Sequence, residues 1–116
     1  MRARRVRPGL VVASALIVSA CRIVDTKMDK ARVEVDLLSD AVEQYHQERG
    51  GYPSTEEGLG VLVGAGLLRK IPDDPWQHAY EYRSPGTKGS KPFDVWSYGA
   101  DGRPGGEGPD KDIGNW

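Results

Sequence analysis

Apolar residues fall into distinct patterns along this chain. Val24, Met28, Ala31, Val35, Leu38, Val42 and Tyr45 are spaced alternately by four and three, with Asp, Glu, Lys and Arg between them. That spacing places all seven on one stripe and predicts a long amphipathic helix with a single packing face. No Pro or Gly interrupts it before Gly50-Gly51, which ends it. From Val24 to Arg49 such a helix reaches about 39 Å at 1.5 Å per residue. A small head cannot cover that length, so the N-terminal half is expected to project. His46 has no second ligand four residues on, where Gly50 stands, and reads as a surface histidine.

Beyond the glycines the pattern shortens. Ser54-x-x-Glu57 is a capping box preceded by Pro53, and it opens a helix carrying Leu59, Leu62 and Val63. Gly58, Gly60, Gly64 and Gly66 weaken that helix. Ile71-Pro-Asp-Asp-Pro-Trp76 reads as an extended turn. Its adjacent acids, Asp73 and Asp74, point to opposite sides and suit turn formation better than catalysis. Residues 79–83 and 93–98 each alternate apolar with polar positions, and residues 84–92 between them form a loop. The two strands should pair as an antiparallel hairpin, which makes the fold class α+β.

The last nineteen residues, 98–116, follow neither period. Six glycines and two prolines exclude a helix or a long strand there, yet the segment closes on Ile113 and Trp116, which favour burial. Asp101, Glu107, Asp110 and Asp112 fall within twelve positions, opposed by Arg103 and Lys111. Gathered in a compact loop these carboxylates would repel one another unless a cation came between them. A hard divalent ion suits oxygen ligands, and Ca²⁺ suits a loop that can add backbone carbonyls. The alternative is a solvated acidic tail. The loop is not an EF-hand, because the third and fifth positions counted from Asp101 are Arg103 and Gly105, and the twelfth is Asp112.

Charge changes the picture at the N-terminus. The chain has 116 residues and a net charge of −1, with 38% hydrophobic and 28% charged residues, as one small domain would. Arg2, Arg4, Arg5 and Arg7 precede an apolar run, residues 10–20, that ends at the single cysteine, Cys21. From Cys21 onward twelve basic residues face seventeen acids, a net of −5 that argues against nucleic-acid binding. The apolar run is short for a membrane span and suits a signal-peptide core. Val18-Ser-Ala-Cys21 resembles a lipobox, with Cys21 as the lipidated residue, and residues 1–21 therefore read as a targeting segment. A retained membrane helix continuing past Arg22 is the alternative. One cysteine permits no intramolecular disulfide.

Several motifs, in order, carry a resemblance. Tyr52-Pro-Ser-Thr-Glu-Glu-Gly-Leu59, Asp74-Pro-Trp76, Tyr80-Glu-Tyr82, Phe93-Asp94, Ser97-x-Gly-Ala-Asp-Gly102 and Asp112-Ile-Gly-Asn-Trp116 resemble the major pseudopilins (core protein G) of the type II secretion system. The resemblance covers roughly residues 31–116. It implies a pilin-like fold, in which a long N-terminal helix (residues 22–50) packs on a small antiparallel sheet within a head of residues 51–116. A calcium loop, residues 98–116, takes the place of further strands. It implies Ca²⁺ ligands at Asp101 and Asp112, with Asp110 as a further side-chain ligand and Tyr98 as a carbonyl ligand. Glu107 ranks below these. It also implies a membrane-anchored subunit facing the periplasm, whose partners are other pseudopilins or secretion-system subunits, copies of itself among them.

The N-terminus departs from that family. Gly9 is followed by Leu-Val-Val-Ala-Ser, so Ser14 stands where the family carries the glutamate used in docking neighbouring subunits. Two functions follow from the residues. One is a pseudopilin-like structural subunit supporting secretion. The other is a lipid-anchored, calcium-stabilised periplasmic binding or adaptor domain derived from a pseudopilin head. An enzyme is disfavoured, because His46 and His78 lie in unrelated segments and the chain carries no nucleophile elbow or phosphate loop.

Overall fold

The computed structural model describes the backbone of residues 7–116 and the side chains of residues 26–116. A single helix, α1 (Arg7–Arg49), spans 43 residues. It starts well before the expected boundary at residue 22, because the Ala, Val, Leu and Ile run after Gly9 contains no helix breaker. Cys21, the expected lipidation site, lies outside the described side chains. The molecule measures 70 × 31 × 25 Å, and the long dimension is that of the projecting helix.

The stripe behaves as its spacing requires. Ala31, Val35, Leu38 and Val42 are buried, Met28 and Tyr45 are partly covered, and Val24 lies outside the described side chains. Ser39 and Ala41 widen the packed face, whereas Val33 remains 66% exposed on the opposite side.

The capping box forms as expected. Ser54 N–H donates to Glu57 at 2.9 Å, and Glu57 N–H donates to Ser54 Oγ at 3.0 Å. The helix it should open does not follow, which corrects the expectation. Gly58 turns to φ +67° and closes one turn onto Ser54 O, and helical structure resumes only as α2 (Gly60–Gly64). α2 nonetheless buries Leu62 in the core.

The sheet is antiparallel, in the order β1 (Glu81–Arg83), β2 (Asp94–Ser97), β3 (Ile113–Gly114). Tyr82 pairs with Val95 and Trp96 with Gly114, so the expected hairpin forms with shorter strands. β3 is a correction, since the C-terminal stretch was expected to replace further strands and instead returns to add one. Val95 and Tyr82 project toward α1 and join Phe93, Leu38, Val42 and Leu62 in one core. Tyr80 ties the sheet side to the helix, its hydroxyl donating to Glu34 at 2.6 Å. Tyr82 OH donates to Pro53 O at 2.7 Å. His46, instead of standing free on the surface, stacks on Tyr52 with ring centroids 4.2 Å apart.

Candidate functional site

The C-terminal loop leaves β2 at Tyr98 and returns as β3. Its two limbs meet through backbone. Ala100 N–H donates to Pro109 O at 2.8 Å, and a 3₁₀ turn, Gly108–Asp110, begins the return. Gly99 has φ +84°, and a Cβ there would lie 2.7 Å from Pro109 O and 2.8 Å from Lys111 O. Only glycine admits so close an approach in that conformation. Gly106 does the same on the other side, where a Cβ would lie 2.5 Å from Asp110 O.

The expected ligands are placed as follows. Asp101 is exposed and Oδ1 accepts Arg103 N–H at 3.1 Å, which makes it the cap of its own turn. Asp112 is half-buried, and its Oδ1 accepts Gly105 N–H at 3.1 Å across the loop. Asp110 is half-buried at the end of the 3₁₀ turn, and Glu107 is exposed before it. Tyr98 sets its ring edge-on to Trp96 at 5.8 Å. Among the described residues no three His, Cys, Asp or Glu side chains gather closely enough to hold one ion. The loop therefore draws residues 99–100 toward 109–111 and residues 105–106 toward 110–112 without uniting the carboxylates. The loop's own carboxylates and the backbone carbonyls that crowd both glycine approaches are oxygen donors, with the His78 ring lying against Gly102. This donor set fits a hard cation bound with a large carbonyl share, and does not fit a soft transition metal.

Residues outside the acidic set hold the loop in place. Asn115 prolongs the ladder with its side chain, which accepts Val95 N–H at 3.1 Å and donates to Phe93 O at 3.0 Å. Trp116 folds back over Gly114 and against Gly89, where side chains would collide with it, and lies 6.1 Å from Trp96. It stays 46% exposed, so its burial is incomplete. On the same outer face the Arg83 guanidinium lies 4.9 Å over the Trp96 ring and bonds Asp94 at 3.2 Å. Asp94 also accepts Thr87 N–H and Lys88 N–H, which fixes the 84–92 loop beside Trp116. Asp94 and Asn115 belong to the quoted motifs, but nothing in their spacing announces a side chain that replaces a strand or a loop anchor.

A long helix packed on this small antiparallel sheet is the arrangement found in a solved major pseudopilin. The crystal structure of that protein from enterohaemorrhagic Escherichia coli superposes with a TM-score of 0.68 at 30% identity, covering 79% of this chain and 88% of that one. The family described as type II secretion system (T2SS), protein G matches residues 20–116. The chain belongs to the type II secretion system protein G family. Core protein G of Pseudomonas aeruginosa is 38% identical over 121 residues, covering 93% of this chain and 84% of that protein. Core protein G of Vibrio cholerae is 39% identical over 99 residues, covering 75% and 66% respectively. Among the described residues no helix is long and apolar enough to cross a membrane.

Proposed function

We propose that this protein is a pseudopilin subunit of a type II secretion system, supporting export across the outer membrane by assembling with copies of itself and with other pseudopilins. The observation that carries this is the similarity to core protein G along 93% of the chain, joined to the helix-on-sheet head. The adaptor reading is not favoured, because the match to that relative is not limited to the head. In this reading the head faces the periplasm, the N-terminal part of the chain holds it at the membrane, and the protein is structural, not catalytic. Deleting the gene should abolish accumulation of exoproteins in the medium, and a plasmid copy should restore it. Undiminished secretion in the deletion strain would contradict the proposal.

Two finer points belong to the same reading. The first is Ca²⁺ held by Asp101, Asp110 and Asp112 with backbone carbonyls such as that of Tyr98; its charge would offset the loop carboxylates. An ion at a hundredfold excess over Kd adds ~3 kcal/mol. Chelation should lower the melting temperature of the parent chain, and Asp101→Ala or Asp112→Ala should remove that difference. A melting temperature indifferent to chelator in the parent chain would contradict calcium binding. The second is a lipid on Cys21, tested by intact mass and palmitate labelling beside Cys21→Ser. A mature chain starting at Leu10 without label would instead mean prepilin-type processing.

A further inference from the structure

Asp74 is only 3% exposed, although it lies in a proline-punctuated turn. Both of its carboxylate oxygens are engaged. Oδ1 accepts Trp76 N–H at 3.0 Å and His78 N–H at 2.8 Å, which shapes the turn after Pro72. Oδ2 accepts the Ser97 hydroxyl at 2.6 Å, twenty-three residues away on β2. Ser97 is fully buried, and its Oγ in turn accepts Gly99 N–H at 3.0 Å. A hydroxyl has one proton, so donating it to the carboxylate leaves the Ser97 lone pairs for the Gly99 amide. The short, charge-assisted bond fixes that polarity.

At Gly99 the two limbs of the C-terminal loop approach closely, so that a Cβ there would lie 2.7 Å from Pro109 O and 2.8 Å from Lys111 O. We infer that Asp74 is the positioning residue of this loop: acting through the Ser97 hydroxyl, it fixes the Gly99 amide and so sets where residues 98–101 meet residues 109–112. Asp74 acts here through Ser97 and not as a ligand: it is 3% exposed, and its carboxylate is engaged by Trp76, His78 and Ser97. The turn after Pro72 and the C-terminal loop are thereby joined through the end of β2, in a relay that works with or without a bound ion. An asparagine at 74 would keep the acceptor for Trp76 and His78, but its amide can only donate to Ser97 Oγ, so the Ser97 proton loses its acceptor and the hydroxyl its fixed orientation toward Gly99.

The test uses the full chain, Asp74→Asn, Ser97→Ala and the double variant, with two readouts. One is amide exchange at Gly99 and Ala100 in chelator, compared with the β1–β2 ladder. The other is calcium chloride titration by calorimetry, which rests on the calcium reading of the loop. Each single variant should speed exchange at Gly99 and Ala100 and weaken calcium binding by about tenfold or more, as loss of a hydrogen bond to a charged group does. The double variant should be no worse than Asp74→Asn alone, since both remove one relay. Ladder amides should keep their protection. Unchanged exchange at Gly99, additive losses, or equal loosening of the ladder would overturn the inference. If Asp74→Asn does not fold, Ser97→Ala, which removes a single oxygen, decides the matter by the same exchange readout. A parent chain that takes up no calcium would remove the calcium reading alone, and the exchange comparison would still decide the role of Asp74.

Discussion

The head core and the C-terminal loop are held by different means. In the core, Val35, Leu38 and Val42 of α1 meet Phe93, just ahead of β2, and Val95 within it, all nearly or fully buried, and apolar area removed from water supplies the adhesion. The loop contributes Ile113 to the buried set and otherwise relies on close backbone approaches at Gly99 and Gly106, two carboxylate-to-amide bonds, and the polar anchors Asp74 and Asn115. A packed core relaxes only partly around a lost contact, and the cost is shared by the whole head. A loop built on hydrogen bonds and glycine geometry has few contacts to redistribute, and is the part that the proposed ion would steady.

The largest effect that separates the two regions should come from the core. Leu38→Ala or Phe93→Ala should cost about 2–5 kcal/mol in denaturant titration and lower the stability of the whole head together. A loss confined to the loop would mean that the core is not shared. Gly99→Ala comes next. Its positive φ and the contacts with Pro109 and Lys111 should cost about 1–3 kcal/mol. That cost should appear as a loosened loop and weaker calcium uptake, with far-ultraviolet circular dichroism unchanged.

A smaller effect should appear only in alkali. Burial, and then the hydrogen bond to Glu34, push the Tyr80 phenol well above its ordinary value, and burial pushes Tyr82 up to about 12. The folded head holds these protons more tightly than the unfolded chain. The stabilisation is therefore complete below about pH 10 and declines above it, by about 1.4 kcal/mol per pH unit for each phenol until its folded-state value is reached. Denaturant titrations between pH 8 and 11 should show the decline, and Tyr80→Phe should make it shallower. The smallest effect is that of Asp101→Ala measured in chelator, about 1 kcal/mol or less, since only the bond to Arg103 N–H is lost.

The same contrast explains what the sequence could reveal. The α1 stripe and the hairpin are legible because burial imposes a period of about 3.6 or 2, and the period survives in the residues. The capping box is legible too, but its local bonds form without a helix, because Gly58 adopts φ +67° two residues before helical structure resumes at α2. A two-residue strand such as β3 leaves no period to read. Asp74 looks like any acid beside a proline in a turn; its burial follows from Ser97 lying over it, a long-range fact. The four loop acids are conspicuous in sequence, yet the fold does not gather them, because backbone that turns at successive glycines sets where each carboxylate lies.

The claim that the loop is a separately held unit on a core that stands without it is tested most directly by limited subtilisin digestion of the full chain. Calcium chloride is compared with chelator, and each cut is assigned by mass. Chelator should bring the first cuts into residues 101–112, while residues 26–97 stay intact and calcium suppresses those cuts. First cuts within residues 26–97, or loop cuts at the same rate with and without calcium, would contradict it.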